Sequence, residues 1–287
     1  MDARQEGKHR VTANENGSGK HRVAGLPGPP IRLASRAVSQ LRALAFRGRA
    51  VYCPCCGKRF RHFLYSPYLT SRCPYCLSVE RYRVLCRFLD ERLSFGSRPV
   101  RLLDIAPMRC FQVFCRRKGG VEYVSADIAS PLAMYQMDIN NLGFDDESFD
   151  CLVCFHVLEH VEDDSIASAE LYRVLRKGGW AIIQVPIEAD RTLEKSGIPP
   201  EDRQGLLRWE SHLRLYGPDF ADRLRSAGFD VEVIPYARGL DPAMIAREGL
   251  DGNEDIYLCR RPPADPGNRP ARKPDQGTER RAGENCN

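Results

Sequence analysis

The chain has 287 residues, 43% of them hydrophobic and 28% charged, with a formal net charge of +5. No apolar run approaches the ~18 residues a bilayer span needs, and the polar N-terminus lacks the apolar stretch of a secretory signal, so a cytoplasmic protein is the expectation. Residues 1–50 carry ten Lys/Arg against three Asp/Glu (+7) and residues 260–287 carry seven against four (+3), which leaves −5 for the body between them. A basic body would point to nucleic acid. This one does not, and only the arms suit an anionic partner.

Residues 1–30 are rich in Gly, Asn, Lys, Arg and Pro and are expected to be a disordered basic arm. Residues 31–50 suit an amphipathic helix with Leu33, Ala37, Leu41 and Leu44 on one face and Arg32, Arg36 and Arg42 bordering it. Such a helix can lie on anionic lipid or pack on its own domain.

Twelve cysteines without a secretory signal argue against a disulfide scaffold. Within 51–80, Cys53-Pro-Cys-Cys56 and Cys73-Pro-Tyr-Cys76 give C-x2-C-x16-C-x2-C. Four thiolates at this spacing fit a tetrahedral zinc ribbon, with Cys53, Cys56, Cys73 and Cys76 as ligands. Four sulfurs leave no open position, so a structural Zn2+ is expected. Gly57 suits the turn after the first pair, and Cys55 is surplus. Between the pairs stand Lys58, Arg59, Arg61, His62, Phe63, Tyr65, Tyr68 and Arg72. Bases interleaved with aromatics can track phosphates and stack nucleobases. Equally, the aromatics can fill a small core while the module docks on the body. Cys86, Cys110, Cys115, Cys151, Cys154 and Cys259 sit among apolar neighbours and are expected to be buried; Cys286 lies in a polar tail.

Residues 81–98 read as a linker helix. From 99 to 260 strands and helices alternate: strand 100–105, helix 108–118, strands 121–126, 134–138 and 149–154, helix 163–176, strand 180–186, helix 218–227 closed by Gly228, and strands 230–235 and 255–259. That alternation predicts an α/β domain, a mainly parallel sheet with helices on both faces. Three of the apolar runs carry Asp at or near their C-terminal ends, where ligands bind in open α/β sheets. Acidic residues there can take a ribose diol and an exocyclic amine, which points to an adenosine-containing cofactor. Residues 261–287 are expected to be a disordered tail.

In register, the chain reads Leu102–Ala106, Val124–Ile128, Met137–Leu142, Asp146-x-Ser148-Phe149-Asp150, Leu158-Glu159-His160-Val161 and Leu175-Arg176-Lys177-Gly178-Gly179. This order resembles the class I S-adenosylmethionine-dependent methyltransferases, in their type 11-like branch, over about 99–260. The resemblance implies a Rossmann-like seven-stranded sheet whose last two strands form an antiparallel pair. It also implies S-adenosylmethionine as cofactor and methyl transfer to an unidentified O, N or C nucleophile. By the same resemblance Asp104 orients the following turn and Ala106 stands where the backbone approaches the ligand. Asp127 takes the ribose hydroxyls beside Ile128, and Asp138 takes the adenine amino group beside Ile139. Phe155 and His156 lie by the methionine end, where His156 is a candidate general base.

The chain departs from the family between Asp104 and Cys110, which hold no glycine. Either a reshaped pocket or weakened binding is expected, with Met108 crowding the ligand unless it points away. The insertion 188–216 should cover the acceptor pocket. It holds Glu188, Arg191, Glu194, Trp209, Glu210, His212, Arg214 and Tyr216, of which His212 and Tyr216 either hold the acceptor or form a hinge. Two alternatives stand beside a methyltransferase acting on an unidentified small-molecule or macromolecular nucleophile: an RNA methyltransferase guided by the ribbon, and a methyltransferase-like binding protein without catalysis.

Overall fold

A computed structural model describes residues 29–65, 71–199 and 211–263, with side chains from residue 37 onward. The N-terminal arm, the side chains of Arg32, Leu33 and Arg36, Tyr68, Trp209, Glu210, Cys286 and the C-terminal tail therefore lie outside the described residues. No helix among the described residues is long and apolar enough to cross a membrane.

The body is one seven-stranded sheet. Its strands are β5 (Val100–Ile105), β6 (Val121–Asp127), β7 (Tyr135–Gln136), β8 (Phe149–Phe155), β9 (Leu175–Gln184), β12 (Asp230–Ile234) and β13 (Ile256–Arg260). They stand in the order β12-β13-β9-β8-β5-β6-β7, and a separate antiparallel pair, β10 (Leu193–Glu194) with β11 (Arg214–Leu215), lies outside the sheet. Pairing is parallel from β7 through β9, and β13 runs antiparallel to both of its neighbours. The expected sheet, with its antiparallel final pair, is the one observed. The chain winds outward from β5 through β6 to β7, then returns to start again at β8. The crevice at this reversal, outside the carboxyl ends of the strands, is where ligands bind in such sheets.

Strand parity decides which layer each side chain joins. Leu102, Cys151, Val153, Phe155 and Ile182 pack against α2 (Glu80–Arg92) and α3 (Arg109–Arg116). Leu103, Ile105, Leu152, Cys154 and Ile183 pack on the other face, against α4 (Asp164–Val174) and α5 (Phe220–Ser226). Period-two alternation in apolar strands thus builds two cores, one per face. α4 starts at Asp163, whose side chain accepts from the amides of Ser165 and Ile166, and it ends at Val174. β9 begins at Leu175, five residues before the expected strand, because Leu175 already pairs with Phe149 and the next residues bond to Arg261.

The N-terminal region comprises α1 (Pro29–Ala45), the hairpin β1 (Arg47–Cys53) and β2 (Lys58–Phe60), and the short pair β3 (Leu64–Tyr65) and β4 (Ser71–Arg72). Helix α1 ends earlier than expected, and the strand takes residues 47–49. Its covered side also differs: Ala43 and Phe46 pack on the core, whereas Leu41 and Leu44 remain exposed. The register of contact follows Phe46, the bulkiest group at the helix end.

Arg83, fully buried on α2, ties these parts together. Its guanidinium donates to the carbonyls of Ser71, Ser78 and Gly249 and stacks over the Phe63 ring at 4.3 Å. Gly249 ends α6 (Pro242–Glu248) in a left-handed conformation, φ 56°. A Cβ there would stand 2.7 Å from the Phe63 ring, so both the turn and the close approach require glycine.

Candidate functional site

At the carboxyl edge of β5, β6 and β7 the sheet opens into a cavity of about 380 Å³, within the range of small-molecule sites. Asp127, Ile128, Asp138 and Ile139 line it together with Ile105, Asn140, Val157 and His160. Four of the sequence-predicted cofactor residues are thus brought to one cavity. Asp127 ends β6, and its Oδ1 accepts from the amides of Ala129 and Ser130 at 2.7 and 2.5 Å. Asp138 caps a short 3-10 turn, its Oδ1 accepting from Asn140 at 2.9 Å. In each, one carboxylate oxygen is spent on fixing the loop, which leaves the second as an acceptor. Ile128 is largely exposed at the mouth, a flat apolar surface suited to a planar ring.

Asp104 and Phe155 lie elsewhere. Both project from the sheet face that carries α2 and α3. Phe155 is buried against the Tyr82 ring at 5.4 Å. Asp104 is buried beneath the turn and accepts from the Tyr123 hydroxyl. Burial raises its pKa to about 8, and the Tyr123 hydrogen bond partly opposes that rise. Asp104 therefore supports the loop from inside and does not line the cavity.

The glycine-free turn is accommodated by Ala106, which adopts φ 54°, the left-handed conformation in which glycine is the unstrained residue. Its amide stays in the ladder by donating to Ala126. Met108 has an ordinary φ of −103° at the start of α3, is 42% exposed and is not among the residues that line the cavity.

His156 follows β8, also left-handed with φ 56°. Its Nδ1 lies 3.4 Å from Glu159 Oε1, and its Nε2 lies 3.9 Å from Glu254 Oε1. Glu159 is buried, and burial raises the Glu254 pKa. The segment 211–216 straps across this region. The Leu213 amide donates to Glu159 O, and Arg214 donates to the carbonyls of Leu158, Val161 and Glu162. The hydroxyl of fully buried Tyr216 donates to Asp164 at 2.7 Å. Tyr216 anchors the strap to α4 and stands away from the cavity. His212 packs against His160, ring centroids 4.8 Å apart; burial lowers its pKa. Arg214 carries most of the anchoring, a role that sequence reasoning missed because an arginine between His and Tyr reads as surface charge.

The four ribbon cysteines converge. Cys53, Cys56, Cys73 and Cys76 are buried with their sulfurs within 4.8 Å of one another. Cys53 and Cys76 are 3.7 Å apart, as are Cys56 and Cys73. A ZnS4 tetrahedron with ~2.3 Å bonds has edges of ~3.8 Å, whereas a disulfide needs ~2.05 Å, so the donors fit zinc. Each pair closes the same knuckle: the amide of Gly57 donates to Cys53 O and that of Leu77 to Cys73 O, with φ 68° and 62°. Arg117 at the end of α3 donates to the carbonyls of Pro54 and Cys55. Cys55 faces Tyr82 O at 3.4 Å, within the core shared with α2 and α3, where it docks the knuckle on the body.

A family model described as a methyltransferase domain matches residues 104–183, the span from Asp104 through β9 that holds the whole cavity. A protein of Mycolicibacterium smegmatis, named as a probable S-adenosylmethionine-dependent methyltransferase, is 32% identical over 123 residues, 41% of this chain and 45% of that protein. The chain thus spans less than half the length of that curated relative. Among solved structures, an S-adenosylmethionine-dependent methyltransferase from Archaeoglobus fulgidus aligns over 62% of this chain and 93% of its own, at 16% identity and TM-score 0.44. The [4+2]-cyclase SpnF aligns over 85% and 98%, at 15% identity and TM-score 0.44.

Proposed function

We propose that the chain is an S-adenosylmethionine-dependent methyltransferase whose cofactor lies in the cavity at the ends of β5, β6 and β7. The observation that carries this reading is the meeting of Asp127 and Asp138 on that cavity's wall. Asp127 holds the ribose hydroxyls. Asp138 accepts from the adenine amine, with Ile128 and Ile139 against the ring. Bound there, the cofactor supplies an activated methyl group on a sulfonium, so positioning of the acceptor supplies most of the acceleration. His156, beside two carboxylates, is the residue available to take a proton from an acceptor. The four cysteines hold a structural zinc that fixes the ribbon on the body.

Calorimetric titration of S-adenosylhomocysteine into the zinc-replete protein tests this. Binding that is lost in Asp127→Ala supports the reading, and no binding in the wild type rejects it.

One observation favours a second reading, an RNA acceptor. The first hairpin exposes Arg47, Arg49, Lys58, Arg59 and Arg61, and Tyr65 is 84% exposed beside it. RNA affinity that falls steeply with salt and drops in Arg59→Ala/Arg61→Ala would support it; salt-independent or absent binding would leave a small-molecule acceptor.

A further inference from the structure

On the loop after β8, the end of β9 and the strap, four polar atoms are buried without a hydrogen-bond partner: His156 Nε2, Glu159 Oε2, Gln184 Oε1 and His212 Nδ1. Buried polar atoms are rarely left unpaired, and a buried charge is normally paired or bound to a metal. Two of these orphans belong to a set that the strap and the loop after β8 bring together. Glu159, His160 and His212 each offer one donor atom, all within 4.8 Å of one another.

We propose that Glu159, His160 and His212 form a second metal site, distinct from the cysteines, for a divalent transition metal ion of the zinc or iron class. Each donor is already oriented. Glu159 is 1% exposed and His212 5%. Glu159 turns Oε1 to His156 Nδ1, which leaves Oε2 as the ligand atom. His160 Nδ1 lies 3.2 Å from Ser211 O. A carbonyl only accepts, so Nδ1 carries the proton and Nε2 keeps its lone pair for a metal. Such a backbone carbonyl behind a ligating imidazole is the usual outer support of a metal-bound histidine. His212 offers Nδ1 from the strap, which Leu213 N and Arg214 fasten to the loop carrying Glu159 and His160.

Bonds of ~2.1 Å would draw the three donors to about 3.0–3.5 Å apart. His160 is the exposed member and can make that small movement. Two imidazoles and a carboxylate suit zinc or iron better than magnesium or calcium, and three protein donors leave positions open. His160 also lines the cavity, so those positions face the space where an acceptor would meet the cofactor. The site then selects an acceptor with an oxygen donor, a hydroxyl or carboxylate able to reach the ion. That role rests on the cofactor reading above; the metal site itself does not.

The test uses the full-length chain with zinc at its cysteines, freed of loose metal and titrated with Co2+ by calorimetry and visible absorption. The expected result is one further equivalent of Co2+ whose absorption lacks sulfur charge transfer. Glu159→Gln, which keeps the shape of a buried side chain, and His160→Ala, at an exposed position, should each weaken that uptake beyond the ~10–100-fold that losing an outer partner costs. No uptake, uptake carrying sulfur charge transfer, or uptake unchanged in both variants would overturn the proposal. S-adenosylhomocysteine is titrated in parallel. Cofactor-product binding without Co2+ uptake rejects the metal site alone, whereas Co2+ uptake without it rejects the cofactor reading.

Discussion

Arg83 and Gly249 are joined across 166 residues: Nε and Nη2 of Arg83 donate to the Gly249 carbonyl at 2.9 and 2.6 Å. The same side chain reaches the carbonyls of Ser71 and Ser78. One buried guanidinium thus clamps the cysteine module, α2 and the loop after α6. Arg83→Met would leave three carbonyls with fewer donors, each buried loss costing ~1–3 kcal/mol. Urea unfolding should show a drop of at least about 3 kcal/mol. Arg83→Lys should not rescue it, because an ammonium cannot form the fork.

The left-handed turn at Ala106 gives a second expectation. Alanine there carries strain that glycine does not. Ala106→Gly should raise thermal stability by about 1 kcal/mol. Ala106→Val, branched at Cβ, should lose about 2 kcal/mol and weaken S-adenosylhomocysteine binding. Equal stability of all three would contradict the conformation.

Asp104 makes stability depend on pH. Its pKa is raised to about 8 by burial, so the folded state holds a proton that the unfolded chain releases near pH 4. Its contribution is full below the unfolded value and is lost as pH rises through about 8. The loss approaches ~1.4 kcal/mol per pH unit in that window. Denaturant titrations from pH 5 to 8 should show declining stability in the wild type and a flatter profile in Asp104→Asn. A rise with pH in the wild type that Asp104→Asn removes would refute the assignment.

The zinc assignment predicts slow, all-or-none release. Because the sulfurs are buried in the core of α2 and α3, a chromogenic chelator should remove one zinc only after thiol modification. Cys73→Ser should lower the melting temperature of the whole body. Release without thiol modification, or an unchanged melting point, would separate the cluster from the core.

Much of the fold was legible because its strands are short apolar runs of clear parity and its aspartates mark their ends. The four cysteines were legible because C-x2-C knuckles are local. Other features were hidden for physical reasons. Nothing in the residues 104–110 announces that Ala106 bends left-handed. Arg83 and Arg214 resemble surface charges until the carbonyls they collect are assembled. The parity that places Phe155 with Leu102 was visible, but not that α2 and the ribbon cover that face. His160 and His212 meet only because the strap folds back on the loop after β8.

The cavity's assignment is tested most directly by calorimetric titration of S-adenosylhomocysteine into the zinc-replete protein, with Asp127→Ala and Asp138→Asn alongside. Saturable one-to-one binding is expected in the wild type, at least about tenfold weaker in each variant, because a hydrogen bond to a charged group is worth ~1.5–3 kcal/mol and tenfold is ~1.4 kcal/mol. Absent binding in the wild type, or equal binding in all three, would contradict it.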